Sequence, residues 1–177
     1  MRRRRTAAVA AMAAGFMALT AGCGLTGEDE ILPKATREPL PPLTASAVSD
    51  EISGLARAGG LPDGDTSPAG LPKGGWRDCM APWTGRAPAA DAAGAFEATV
   101  TRLREHDWEI ISSHTGHDSH SGHDVTYRTL AKRGWKLYAR RYDDASAPGP
   151  GADVSLTAVE DGCEPPAKVR AGYEDPA

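Results

Sequence analysis

Four of the chain's five histidines fall within twelve residues, "SHTGHDSHSGHD", Ser113 to Asp124. His114, His117, His120 and His123 recur at every third position, with Asp118 and Asp124 beside them. Imidazole is a good ligand for Zn, Cu and Ni, so such a cluster could buffer one of these metals weakly. Tight binding needs partner groups that hold the rings in place, and none is visible around these four. The spacing also lacks the two-histidine helix with an embedded glutamate on which hydrolytic zinc sites are built. Two other readings stay open beside the metal site. One is a polar hairpin tip bracketed by Gly116 and Gly122; the other is a contact that gains charge near pH ~6.

Nothing else in the chain announces chemistry. There is no "GxSxG" turn or "SxxK" pair to activate a serine. No glycine-rich phosphate loop follows a strand. Tyr127, Trp135, Tyr138 and Tyr142 are expected to pack within a sheet rather than line a ligand box. Arg140-Arg141 with Asp143-Asp144 reads as a solvated strand end. A non-enzymatic role is therefore the expectation, with no cofactor beyond weak Zn, Cu or Ni.

The N-terminus carries a clearer message. "MRRRR" is followed by the small-residue apolar run "TAAVAAMAAGFMALTAG", which ends at Cys23. A basic start, an apolar stretch and small residues at a cut are the layout of an export signal. The run falls short of the ~20 strongly apolar residues that span a bilayer. "LTAGC" resembles the lipobox of bacterial lipoproteins, with Leu19, Thr20, Ala21 and Gly22 leading into Cys23. That resemblance implies a diacylglycerol on the Cys23 thiol and cleavage just before it. Two acyl chains anchor a protein stably where one does so only reversibly. The expected location is the extracytoplasmic face of the cell membrane.

Removing 22 of 177 residues leaves 155, enough for one domain with a core. Losing the four leader arginines from 20 Lys and Arg, against 24 Asp and Glu, leaves a net charge of −8. An acidic surface argues against nucleic acid as a partner. The membrane, through the lipid, and another envelope protein are the expected partners. With Cys23 assigned to the lipid, Cys79 and Cys163 are the pair available for a disulfide in an oxidising compartment. Two free thiols, or two thiols on a metal, are the alternatives. Closing a loop of 84 steps would be worth roughly 4–5 kcal/mol at most by chain entropy.

Elements must position these groups. Residues 24–44 are charged and Pro-rich, with no apolar period, and read as a tether. Val48, Ile52, Leu55 and Ala56 then fall at i, i+4, i+7 and i+8, a short amphipathic helix closed by Gly59-Gly60. A Gly- and Pro-rich loop leads to Trp76. "GWRDCMAPW" fits an edge strand or a packed irregular segment, because Pro82 cannot sit in a central strand. Phe96, Val100 and Leu103 mark the main helix, with Pro88 at its start. "WEIISSH", "DVTYRTLAK", "WKLYARRYD" and "DVSLTAVEDGC" read as strands, and Arg133-Gly134 turns the middle pair.

One helix followed by a run of strands predicts an α+β fold. It is a two-layer sandwich, with the main helix on a mostly antiparallel sheet of four to five strands, behind a disordered tether and a short helix. The expected divisions are a signal at 1–22, a lipidated tether with the short helix at 23–75, the domain at 76–163 and a flexible tail at 164–177. The layout is similar to small lipoproteins of high-GC Gram-positive bacteria, and that likeness carries no active site with it. The expected binding surface is a polar sheet face around Thr126, Arg128, Lys136 and Arg140. Metal handling through the histidine segment is the alternative function.

Overall fold

The structure, a computed structural model, describes residues 40–67, 73–118, 122–143, 151–171 and 173–174. Cys23, the export signal and the tether up to residue 39 lie outside the described residues, as does His120. The first helix, α1, runs Ala45–Ala58. Thr44 caps it, its hydroxyl accepting from the Ala47 amide at 3.2 Å. Its stripe of Val48, Ile52, Leu55 and Ala56 is buried. At the helix end Gly59 meets Thr99 of the second helix so closely that a Cβ would stand 2.2 Å from the Thr99 hydroxyl. Only glycine allows that approach.

A 3-10 turn at Gly75–Cys79 leads into β1, Met80–Ala87. Helix α2, Ala89–Glu105, begins immediately after Pro88 and buries Ala92, Ala95, Phe96, Thr99, Val100 and Leu103. The strands β2 (Glu109–Asp118), β3 (His123–Lys132), β4 (Trp135–Asp143) and β5 (Ala152–Glu160) form an antiparallel meander. β1 adds beside β5, also antiparallel, giving the order β1-β5-β4-β3-β2. α2 therefore carries the chain from one edge of the sheet to the other. The turn between β3 and β4 is two residues, Arg133 and Gly134, both at positive φ (45° and 83°). That geometry matches the twist of a two-residue hairpin.

The architecture is the expected α+β sandwich with five strands. Pro82 lies in an edge strand, where its missing N–H costs least. Trp83, Trp108 and Trp135 are buried in one core with Leu130, Leu137, Leu156 and Phe96. Trp76 instead packs beside a second, smaller cluster of Met80, Val159, Val169 and Tyr173.

Two boundaries differ from expectation. The domain does not start at Trp76, because Val48, Ile52, Leu55 and Ala56 of α1 belong to the main core. The compact unit runs Leu40–Ala177. Two ion pairs fasten the helices to the sheet: Lys132 with Glu51 of α1 and Arg128 with Glu97 of α2, each at 2.7 Å. Nor does the chain fray at Glu164. A short helix α3, Ala167–Arg170, and Tyr173 lie on the sheet face opposite α1 and α2, where Val169 and Tyr173 are buried against Met80 and Val159.

Candidate functional site

The register of the β2–β3 ladder decides where the histidines go. His114 stands opposite Tyr127, Gly116 opposite Val125, His117 opposite Asp124, and Asp118 opposite His123. His114 and His117 are thus strand residues rather than loop residues. The hairpin reverses only after Asp118. Side chains alternate across a strand, so His114 and His117 project from opposite faces of the sheet. His114 stacks on Tyr127, with ring centroids 4.7 Å apart. His117 Nδ1 lies 3.2 Å from Asp124 Oδ1 on the other face, both side chains exposed. His123 shares a face with His114, but its partner Asp118 is four residues along β2, roughly 13 Å away at strand rise. Two nitrogens on one zinc lie within about 4 Å of each other. Among the described residues, no three His, Cys, Asp or Glu side chains come together as a metal group.

The same alternation splits the expected binding surface. Thr126 and Arg128 point to the helix side, whereas Lys136 and Arg140 point to the opposite face. Arg140 is 3 % exposed and is no solvated strand end. Its guanidinium lies 5.2 Å from the Tyr127 ring centroid, donates to the Tyr142 hydroxyl at 3.3 Å, and donates to the Glu174 carbonyl. Its neighbour Arg141 faces α2, donating to the Thr126 hydroxyl at 3.2 Å above the Phe96 ring. Arg140 thereby helps hold the C-terminal segment on the outer face. That role had no signature in the sequence, because the segment that covers Arg140 shows no apolar period.

Cys79 and Cys163 meet at disulfide distance, with Cα atoms 5.8 Å apart. The pair joins the entry to β1 to the exit from β5, at the root of the C-terminal segment. Above it, Tyr138 and Tyr173 pack at 5.1 Å between centroids. Burial pushes the Tyr173 phenol up to about 12, and the Glu174 carboxylate adds to the rise. Tyr138 is raised for the same first reason, with Glu174 and Asp161 contributing.

Two features escaped the sequence reading. One is a shallow cleft of about 180 Å³ between the first turn of α1, the 3-10 turn and β1, lined by Ser46, Ser49, Trp76, Arg77, Met80 and Pro82. The other is the outer edge of β2. Ile110 and Ile111 are 40 % and 55 % exposed there, at a bulge that shifts the register between Ile110 and Ser112. The adjacent isoleucines were the available signal, since an alternating strand with one buried face does not need both. Among the described residues, no helix is long and apolar enough to cross a membrane. Compared with protein-family models, curated proteins and solved structures, the chain finds no match.

Proposed function

We propose that the chain is an exported lipoprotein, anchored by a lipid on Cys23 at the extracytoplasmic face of the membrane, with a non-enzymatic binding role. The observation that supports this most is the meeting of Cys79 and Cys163. Of three cysteines it leaves one, and that one stands in "LTAGC" behind an export-type leader. Disulfides form and persist in oxidising compartments and are rare in a reducing cytosol, so a bridge across an 84-residue separation favours export. The compact unit starts at Leu40, so 17 residues from Cys23 to Pro39 precede it. Fully extended they reach roughly 56–61 Å, enough to lift a small domain clear of the headgroups.

The test is Cys23→Ser in cells, followed by membrane fractionation. The wild type should be found in the membrane fraction at mature size. The variant should remain as uncleaved precursor or leave the membrane. A variant that stays membrane-bound at mature size contradicts the anchor.

A further inference from the structure

The two edges of the sheet are finished differently. β1 carries Pro82, and its outer side is engaged by Asp65, whose amide and carbonyl exchange hydrogen bonds with Thr84 at 2.7 and 2.9 Å. That edge is engaged at its middle. The edge of β2 pairs with nothing among the described residues. The helices pack over β1, β5 and β4, while β2 makes its main contacts with β3, so β2 reaches beyond the helical layer. Glu109 to Ser113 are all exposed. Natural proteins blunt such an edge with charge, proline or a bulge, and an open apolar edge is a template for another strand. β2 has the bulge, but the bulge leaves Ile110 and Ile111 in solvent rather than a lysine.

Charge selects the occupant. The stretch Glu105–Asp118 contains Glu105, Asp107, Glu109 and Asp118 and no Lys or Arg. Asp124 adds a further exposed carboxylate opposite His117. A second copy in antiparallel pairing would bring the Glu109 end of one strand to the Asp118 and Asp124 end of the other. Like charges placed across an interface oppose association. An extended segment with apolar residues at its centre and Lys or Arg at its flanks fits both features. Its apolar residues cover the two isoleucines near the start of β2, one basic flank meets Asp107 and Glu109, and the other runs toward Asp118.

We infer that the free edge of β2 accepts an extended, basic-flanked segment of another polypeptide as a sixth strand. Main-chain hydrogen bonds supply affinity and the side chains at alternate positions supply choice, as in other strand-addition sites. The inference rests on the binding role proposed above, but not on the lipid anchor. Failure of the Cys23→Ser test would leave it standing.

The experiment titrates the full exported chain with a blocked Lys-Lys-Val-Thr-Val-Thr-Val-Lys-Lys peptide and with its counterpart carrying Glu for Lys. Amide hydrogen exchange reads the site, and fluorescence anisotropy of labelled peptide reads affinity. The basic peptide should bind about tenfold more tightly than the acidic one at low salt, with the preference shrinking as salt is added. It should protect amides of β2. Ile111→Arg, at an exposed position, should weaken binding about tenfold without moving the melting temperature. No binding, equal binding of the two peptides, or unchanged binding by Ile111→Arg overturns the inference. So does a dimer in sedimentation that Ile111→Arg dissociates, which would make a second copy the occupant.

Discussion

Replacing Ile52 by Ala probes whether α1 is part of the fold or an ornament of the tether. Ile52 is 1 % exposed and packs in the main core beneath the α1–β1 contact. The change removes three carbons, about 2.4 kcal/mol of transfer free energy at ~0.8 kcal/mol per buried group. The cavity left behind adds to this, and buried Ile→Ala changes cost about 2–5 kcal/mol in total. A loss of about 3 kcal/mol is therefore expected, a large share of the ~5–15 kcal/mol that holds a domain together. For a unit of this size that corresponds to a melting temperature roughly 6–12 °C lower. Urea unfolding followed by circular dichroism measures it, with the oxidised wild type as reference. A substitution in a helix outside the core would cost no more than ~0.5 kcal/mol. A loss that small would refute the placement of α1 and return the domain start to Trp76.

Two further outcomes follow from the outer face and the hairpin. The Tyr173 phenol is held up to about 12 in the folded chain, above its usual 10, and Tyr138 is raised too. The folded state keeps protons that the unfolded chain gives up, so this contribution is intact below pH 10 and is lost as pH rises from 10 toward 12. Tyr173→Phe should flatten that alkaline decline in urea titrations; an unchanged slope would contradict the packing of the C-terminal segment. In the hairpin, calorimetry with Zn(II) and Cu(II) should find binding no tighter than millimolar, unaffected by replacing His114, His117, His120 and His123 with Ser. Micromolar binding that the fourfold replacement abolishes would establish the metal reading instead. His114→Ser alone should cost about 0.5–1.5 kcal/mol through its stack on Tyr127, whereas His117→Ser should cost less than ~0.5 kcal/mol at its exposed position.

Local patterns carried most of the architecture. The stripe Val48-Ile52-Leu55-Ala56 and the run Phe96-Val100-Leu103 name both long helices, and Pro82 marks β1 as an edge. The turn at Arg133-Gly134 sets more than a chain reversal. A two-residue turn fixes Lys132 opposite Trp135, and every later rung follows. Arg128 must then share a face with Ala139, and Lys136 with Ala131, so the four polar residues expected on one surface could not lie together. The placement of the histidines follows the same rule. A three-residue spacing looks convergent in a loop, but on a strand an odd interval sends His114 and His117 to opposite faces. Other facts were not local at all. Val169 and Tyr173 are too sparse to form a period, and their burial depends on a surface made by β1, β4 and β5. The bulge at Ile111 also depends on β3, whose register it interrupts.

The central claim is that an oxidised domain hangs from a lipid on Cys23. Intact-mass and peptide mapping of the protein extracted from membranes, without reduction, tests it most directly. The account predicts a chain beginning at Cys23 that carries a diacylglycerol, with Cys79 and Cys163 recovered in one disulfide-linked peptide pair. An unmodified Cys23, or free thiols at Cys79 and Cys163, would contradict it.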